Sequence, residues 1–160
     1  RCRRRWKASL AEAGGAPPRT GWAPLKPELL VTDLEASLGF WRDLLGFRVA
    51  YWRDGFVYLE HSEGAQIMLF QRDGSFETGA MEPPFGRGAM FQVYVGGVAA
   101  IEAALAGAGW PLHGALREVW RRWGDREGGQ RELFVQDPDG YLVMVAEVIG
   151  ERPLTSGETP

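Results

Sequence analysis

The chain is poor in the residues that build metal and redox centres. Of 160 residues, one is cysteine, Cys2, and two are histidine, His61 and His113. A single thiol excludes an internal disulfide framework and a cysteine-based zinc site. Two imidazoles far apart in the chain are a weak basis for any metal centre, and both read as surface or structural residues. No apolar run approaches the roughly 18 residues that a membrane helix needs, so no membrane partner is expected. With one cysteine and no clear export signal, the expected location is cytoplasmic.

The net charge of −3 is unevenly spread. Residues 1–25 carry Arg1, Arg3, Arg4, Arg5, Lys7 and Arg19 against Glu12 alone, so the remainder is more acidic than the total suggests. An acidic body repels phosphate backbones, and no nucleic acid partner is expected. Trp120-Arg121-Arg122-Trp123 interleaves cations with aromatics, as single-strand binders do. In this context it reads as an edge strand guarded by charge. Hydrophobic residues at 45% and aromatics at 12% are enough to bury a core in one domain or in two small fused modules.

Residues 1–25, rich in Arg, Ala, Gly and Pro without an apolar period, are expected to be a disordered basic extension. Residues 149–160 are expected to be a second tail. Between them one order of elements occurs twice. A strand at 27–32 leads to a helix capped by Asp33, with Leu34, Leu38, Trp41 and Leu45 on one face and Gly46 at its end. Strands at 47–53, 56–61 and 65–71 follow as a meander, with Asp54-Gly55 and Glu63-Gly64 at the turns. After a Pro- and Gly-rich linker at 73–88, a strand at 89–95 opens the second pass. A helix with Val98, Ile101 and Leu105 on one face comes next, then strands near 116–121, 131–136 and 141–147. Asp137-Pro138-Asp139-Gly140 is the turn between the last two, and Gly128-Gly129-Gln130 is read as a loop. The expected class is α+β: two βαβββ modules, 26–72 and 89–148. One helix per module covers one sheet face, and the other faces would enclose a cavity.

Three stretches carry a resemblance. They are Pro27-Glu28-Leu29-Leu30-Val31-Thr32-Asp33-Leu34, Phe40-Trp41-Arg42-Asp43-Leu44-Leu45-Gly46-Phe47, and Gly124 to Glu132 running into Asp137-Pro138-Asp139-Gly140-Tyr141. Together they resemble the vicinal oxygen chelate superfamily, the glyoxalase, bleomycin-resistance and dioxygenase group, over residues 26–148. The resemblance implies a divalent metal held by four residues from four strands. Those positions fall here at Lys26, Met68, Met90 and Met144. An ammonium group and three thioethers do not make a site that requires imidazole and carboxylate, so no metal and no cofactor are expected. The reading leans against catalysis, with a divergent metal-dependent lyase, isomerase or dioxygenase as the alternative.

The metal-free branch that the resemblance points to is that of the bleomycin-resistance proteins, homodimers that sequester a flat cationic antibiotic without turnover. On that implication the ligand-binding candidates are Trp52, Phe56, Tyr58, Met68, Met90, Gln92, Trp120, Trp123, Glu132 and Met144. Tyr51 and Tyr94 are further aromatic candidates, and Glu60 and Asp125 further acids. Aromatic faces would stack a flat ring system and the acids would meet a cationic tail. The expected partners are a bleomycin-like small molecule and a second copy of the chain. Arg126 and Arg131 are expected to pair with Glu127 and Glu132.

Overall fold

The computed structural model describes residues 12–154. The chain forms two units. One extends to Arg87 and includes Asp137–Tyr141, and the other takes Gly88–Gln136 and the chain from Leu142 on. Cys2 and Trp6 lie outside the described residues.

In the first unit β1 is Gly14–Gly15 and β2 is Glu28–Val31. Helix α1, Leu34–Leu38, continues as a π-helical turn over Gly39–Leu44. Strands β3 (Arg48–Arg53), β4 (Phe56–Glu60) and β5 (Gln66–Gln71) follow. Asp33 caps α1 as its short carboxylate allows: Oδ1 accepts from the Glu35 and Ala36 amides at 3.0 and 3.1 Å. The four apolar residues spaced for one helical face, Leu34, Leu38, Trp41 and Leu45, are all buried. The sheet order is β1-β3-β4-β5-β2, with β2 parallel to β5. Val57 pairs with Leu69 and Leu59 with Ile67. Because side chains alternate across a strand, these four share one face, and all are buried with the helix residues.

The second unit repeats the plan. It contains β6 (Met90–Tyr94), α2 (Val98–Gly107), β7 (Leu112–Trp123), β8 (Arg126–Gln136) and β9 (Leu142–Pro153). The sheet order is β6-β9-β8-β7, with β6 parallel to β9. Gly97 has no side chain to cap α2, and Glu147 does so from β9, accepting from the Val98 amide at 3.1 Å. Val98 and Leu105 are buried and Ile101 is half-buried. Their partners in the core are Leu133, Val135, Val143 and Val145 on one face of β8 and β9.

Three sequence expectations are corrected. First, residues 12–25 are not an unstructured tail. β1 pairs antiparallel with β3, and the chain after it is held on the same sheet by hydrogen bonds described below. Second, the C-terminal tail does not begin at 149: Gly150, Glu151, Arg152 and Pro153 pair with Gly129, Gly128, Glu127 and Arg126. Third, Gly128-Gly129 is not a loop but part of a long two-stranded ribbon, close to its turn and opposite Arg121 and Trp120. Backbone pairing supplies the order in each case, and composition alone did not signal it.

The Asp137–Tyr141 turn belongs to the first unit. Asp137 Oδ1 accepts from the Asp139 and Tyr141 amides at 3.0 and 2.9 Å, and Oδ2 from the Trp41 indole at 3.3 Å. Tyr141 Oη donates to the Leu30 carbonyl at 3.1 Å, and the Thr32 amide and hydroxyl donate to Asp139. Burial pushes the Asp137 carboxyl up to about 6, against the hydrogen bonds from Tyr141 and Trp41 that lower it. The folded value lies above the ordinary 3.8. This group's contribution to stability is therefore fully present below pH 3.8 and is lost as pH rises through 6. Carbon-detected NMR of the side-chain carboxyls is expected to show Asp137 titrating near pH 6. A midpoint at or below 4 would contradict the burial argument.

Candidate functional site

The helix-free face of the first sheet carries Phe56, Tyr58 and Glu60 on β4, Gln66 and Met68 on β5, and Tyr51 on β3. Three of the expected ligand residues lie there, but it is not open. Phe56 and Tyr58 are each 1% exposed. The Arg53 guanidinium sits 3.6 Å over the Phe56 ring, and Tyr51 stacks on Tyr58 with centroids 4.9 Å apart. Trp22 meets Tyr58 edge-on at 5.5 Å and Tyr51 at 6.1 Å. The segment leading to Trp22 is fixed by two buried polar side chains. Glu60 accepts from the Arg19 and Thr20 amides at 2.9 and 3.1 Å, from the Thr20 hydroxyl at 3.0 Å and from Arg48. The Gln66 amide donates to Thr20 Oγ1 and to the Gly21 carbonyl, and its oxygen accepts from the Ala23 amide and the Tyr58 hydroxyl. Burial alone would raise the Glu60 carboxyl. The Arg19 and Thr20 amides, the Thr20 hydroxyl and Arg48 outweigh it, and the group lies below the usual carboxylate range.

The chain's own residues 18–23 thus occupy this face. Lys26 Nζ lies 5.1 Å from the Trp22 ring and 5.9 Å from Tyr58, a cation over aromatic faces. Met68 is half-buried opposite Glu28 in the sheet. Trp52 pairs with Val57 and so points to the helix side, away from Tyr51 and Tyr58. Its expected role in stacking is corrected: a shift in β3 register between Val49 and Tyr51 sets its side. Phe56 is likewise corrected from an open stacking residue to a buried one. His61 is buried beside Phe47 and accepts from the Glu63 amide, with burial lowering its imidazole. His113 is exposed.

The helix-free face of the second sheet is different. Register places Arg117, Val119, Arg121 and Trp123 of β7 beside Glu132, Gln130, Gly128 and Arg126 of β8. Ala146 and Val148 of β9 lie next to Glu132 and Gln130. Gln92 pairs with Met144 and Tyr94 with Ala146. Met90, Tyr94, Trp123 and Val148 are exposed large apolar side chains, from 41% to 65% accessible. Gln92 is also exposed, whereas Met144 is buried. Glu132 is buried at the centre. Its Oε1 accepts from Arg117 Nε and Nη2 at 3.0 and 2.8 Å and from Arg121 Nη2 at 2.8 Å, and its Oε2 from Arg121 Nη1 at 2.8 Å and from the Gln130 amide. Hydrogen bonds from Arg121, opposed by burial and aided by Gln130 and Arg117, hold the Glu132 carboxyl at about 2.

Trp120 lies on the other face. Its indole donates to Glu118, and the Arg152 guanidinium stacks 4.0 Å over its ring. The structure therefore separates the two tryptophans that the sequence offered together. Added Cβ atoms would lie 2.1 Å from the Trp123 ring at Gly128 and 2.7 Å from the Trp120 ring at Gly129. The glycines leave room for one ring on each side of the ribbon. Two other expectations change here. Glu132 is not a free acid for a cationic tail, and Arg131 and Arg126 pair with Glu118 and Glu151 rather than with Glu132 and Glu127. Sequence reasoning missed Arg117 and Arg121. Their spacing of four residues puts them on one face of the expected strand at 116–121, but nothing in the sequence shows that Glu132 lies on the same face of the neighbouring strand.

Among the described residues no group of three or more His, Cys, Asp or Glu could hold a metal ion. Of the four positions at which the resemblance expects metal ligands, Lys26 and Met68 fall in the first unit and Met90 and Met144 in the second. The donor set present does not fit a divalent metal.

A family model described as the Glyoxalase/Bleomycin resistance protein/Dioxygenase superfamily matches residues 24–145. Among solved structures, the chain is similar to a virulence protein from Salmonella typhimurium, with 20% identity and a TM-score of 0.60 over 80% of this chain and 98% of that one. It is similar to a glyoxalase/bleomycin resistance protein/dioxygenase from Alicyclobacillus acidocaldarius, with 16% identity and a TM-score of 0.55 over 79% and 91%. It is also similar to a lactoylglutathione lyase from Agrobacterium tumefaciens, with 20% identity and a TM-score of 0.50 over 82% and 95%. At these identities the likeness is one of fold. No curated protein matches the chain. No helix among the described residues is long and apolar enough to cross a membrane.

Proposed function

Because this chain belongs to the glyoxalase/bleomycin resistance protein/dioxygenase superfamily, and its residues lack the metal ligands of the superfamily's enzymes, we propose that it captures a small molecule without metal or turnover. The observation that carries the reading is the donor set. Lys26, Met68, Met90 and Met144 stand where imidazoles and carboxylates would be needed, and no substitute cluster exists among the described residues. Without a metal to polarise a substrate oxygen, the superfamily's isomerase and dioxygenase chemistry has no electrophile here.

The face that supports capture is that of the second sheet, where Trp123, Tyr94 and Met90 offer exposed apolar surface beside fixed polar groups. In the bleomycin-resistance form of this reading, two chains pair and sequester a flat cationic antibiotic. The aromatic requirement is supported by Trp123 and Tyr94. The acidic one is weaker, because Glu60 and Glu132 are both engaged by internal donors.

The test is a calorimetric titration of bleomycin into the full-length protein, with elemental analysis of the same sample. Saturable binding of one molecule per chain in metal-free protein supports antibiotic capture. Failure of bleomycin alone removes that ligand, and capture then stands on the wider ligand tests. Stoichiometric Ni²⁺, Zn²⁺, Fe²⁺ or Mn²⁺ would overturn the metal-free reading and revive a divergent lyase or isomerase. Trp123→Ala removes an exposed stacking surface worth about 1 kcal/mol. It is expected to weaken binding of a flat ligand by up to about tenfold. Unchanged affinity would move the ligand off this face.

A further inference from the structure

We propose that the Arg117–Arg121 pair on the second sheet binds the oxyanion of a flat aromatic acid, a carboxylate, sulfonate or phosphate carried on a ring system. The inference rests on the metal-independent capture reading and reverses the charge expected of the ligand.

One buried carboxylate faces two guanidiniums. A buried acid needs one cation for neutrality, and Glu132 has two, each making two hydrogen bonds to it. The cluster therefore carries one positive charge in excess. Among the described residues no other acid on that face cancels it. Glu151 is paired with Arg126. Glu118 and Glu127 lie on the opposite face, where they pair with Arg131 and Arg152. A guanidinium has five N–H donors in a fixed fork. Glu132 takes donors from only part of each, leaving Arg117 Nη1 and Arg121 Nε clear of it. Both side chains remain open, 57% and 48% accessible, although their partner is fully buried.

The pair is also held in place. Glu132 sits mid-strand, Gln130 braces it, and the Tyr94 hydroxyl donates to Gln130 at 3.2 Å. Arg117 lies over the Phe134 ring at 5.1 Å. Guanidiniums fixed on a rigid sheet lose little freedom on meeting an oxyanion. The apolar surroundings, with Trp123 and Val148 toward one end and Met90 and Tyr94 on β6, suit a flat ring rather than a bare inorganic ion. A cationic drug would meet repulsion at the same place.

The experiment compares 2-naphthoate with its uncharged isostere 2-naphthamide, by calorimetry on the full-length chain at low and high salt. The expected result is one naphthoate per chain, bound at least about tenfold more tightly than naphthamide. The difference should shrink as salt screens the charge. Arg121→Gln leaves Glu132 paired with Arg117 and should abolish the preference for naphthoate over naphthamide.

Equal affinity of the two probes in the wild type would overturn the anion assignment and leave capture standing. A preference that survives Arg121→Gln would also overturn it, because the anion would then sit elsewhere. Saturable binding of neither probe would count against both the anion site and the capture reading. Salt-sensitive self-association that blocks naphthoate and is lost in Arg121→Gln would assign the face to a second copy of the chain and overturn the proposal.

Discussion

Replacing Glu60 by alanine is expected to lower the unfolding free energy by about 3 kcal/mol. Glu60 is 1% exposed, yet it serves four donors from two parts of the chain. Its removal orphans the Arg19 and Thr20 amides, each costing on the order of 1 kcal/mol, and strands the Arg48 guanidinium. Arg48 is 39% accessible and recovers some hydration, which keeps the loss at the lower end for a broken buried pair. Glu60→Gln retains an acceptor and should cost roughly half as much. Urea denaturation measures both. The same substitution should loosen residues 18–23 from the sheet, read as faster amide exchange at Thr20 and at Ala23. A Glu60→Ala protein with wild-type stability and unchanged exchange would show that the segment is held by its apolar contacts alone.

Gly140→Ala is expected to cost a similar amount, about 3 kcal/mol, for a different reason. The residue has φ of +92°, and a Cβ there would lie 2.4 and 2.6 Å from Cβ and Cα of Pro84. The left-handed conformation costs roughly 1–2 kcal/mol for a residue with a side chain. The overlap with backbone adds on the order of 1–3 kcal/mol, because a proline backbone cannot swing aside as a side-chain tip can. Gly109→Ala is the control. Its φ is +64° and nothing lies within 4 Å of the added Cβ, so only the conformational cost of about 1 kcal/mol remains. Thermal unfolding of the two variants side by side separates strain from clash. Equal losses would mean that the chain around Pro84 gives way.

Gly140 and Glu60 differ in how far the sequence reveals their roles. Asp137-Pro138-Asp139-Gly140 was readable as a turn because each residue has a local conformational reason to be there. What the turn touches was not readable. Glu60 read as one more acid on a strand, a candidate for a cationic ligand. Only the fold brings Arg19, Thr20 and Arg48 to it.

The tryptophans show the same division. Trp41 was legible as helix core from the spacing of Leu34, Leu38 and Leu45, a periodicity that belongs to one element. Trp120 and Trp123 were offered as one cleft, yet they occupy opposite faces. Their separation depends on β7 and β8 running unbroken through Gly128 and Gly129. Two glycines in a row have low strand propensity and read as a loop. Here they accept pairing because rings from the neighbouring strand cover them.

What the sequence determined by itself was the repeat of strand, helix and three strands, the two one-sided helices, the Asp33 cap of the first, the closing turn and the superfamily resemblance. These follow from local periodicity, turn chemistry and residue identity, which need no knowledge of distant partners. The tertiary structure alone decided that residues 18–23 cover one sheet face. It also decided that Trp52 and Trp120 turn away from the expected site, and that two arginines converge on one buried glutamate. Each depends on strand register and on contacts between distant parts of the chain. A one-residue slip in register moves a side chain to the opposite face, and composition carries no record of which register is adopted.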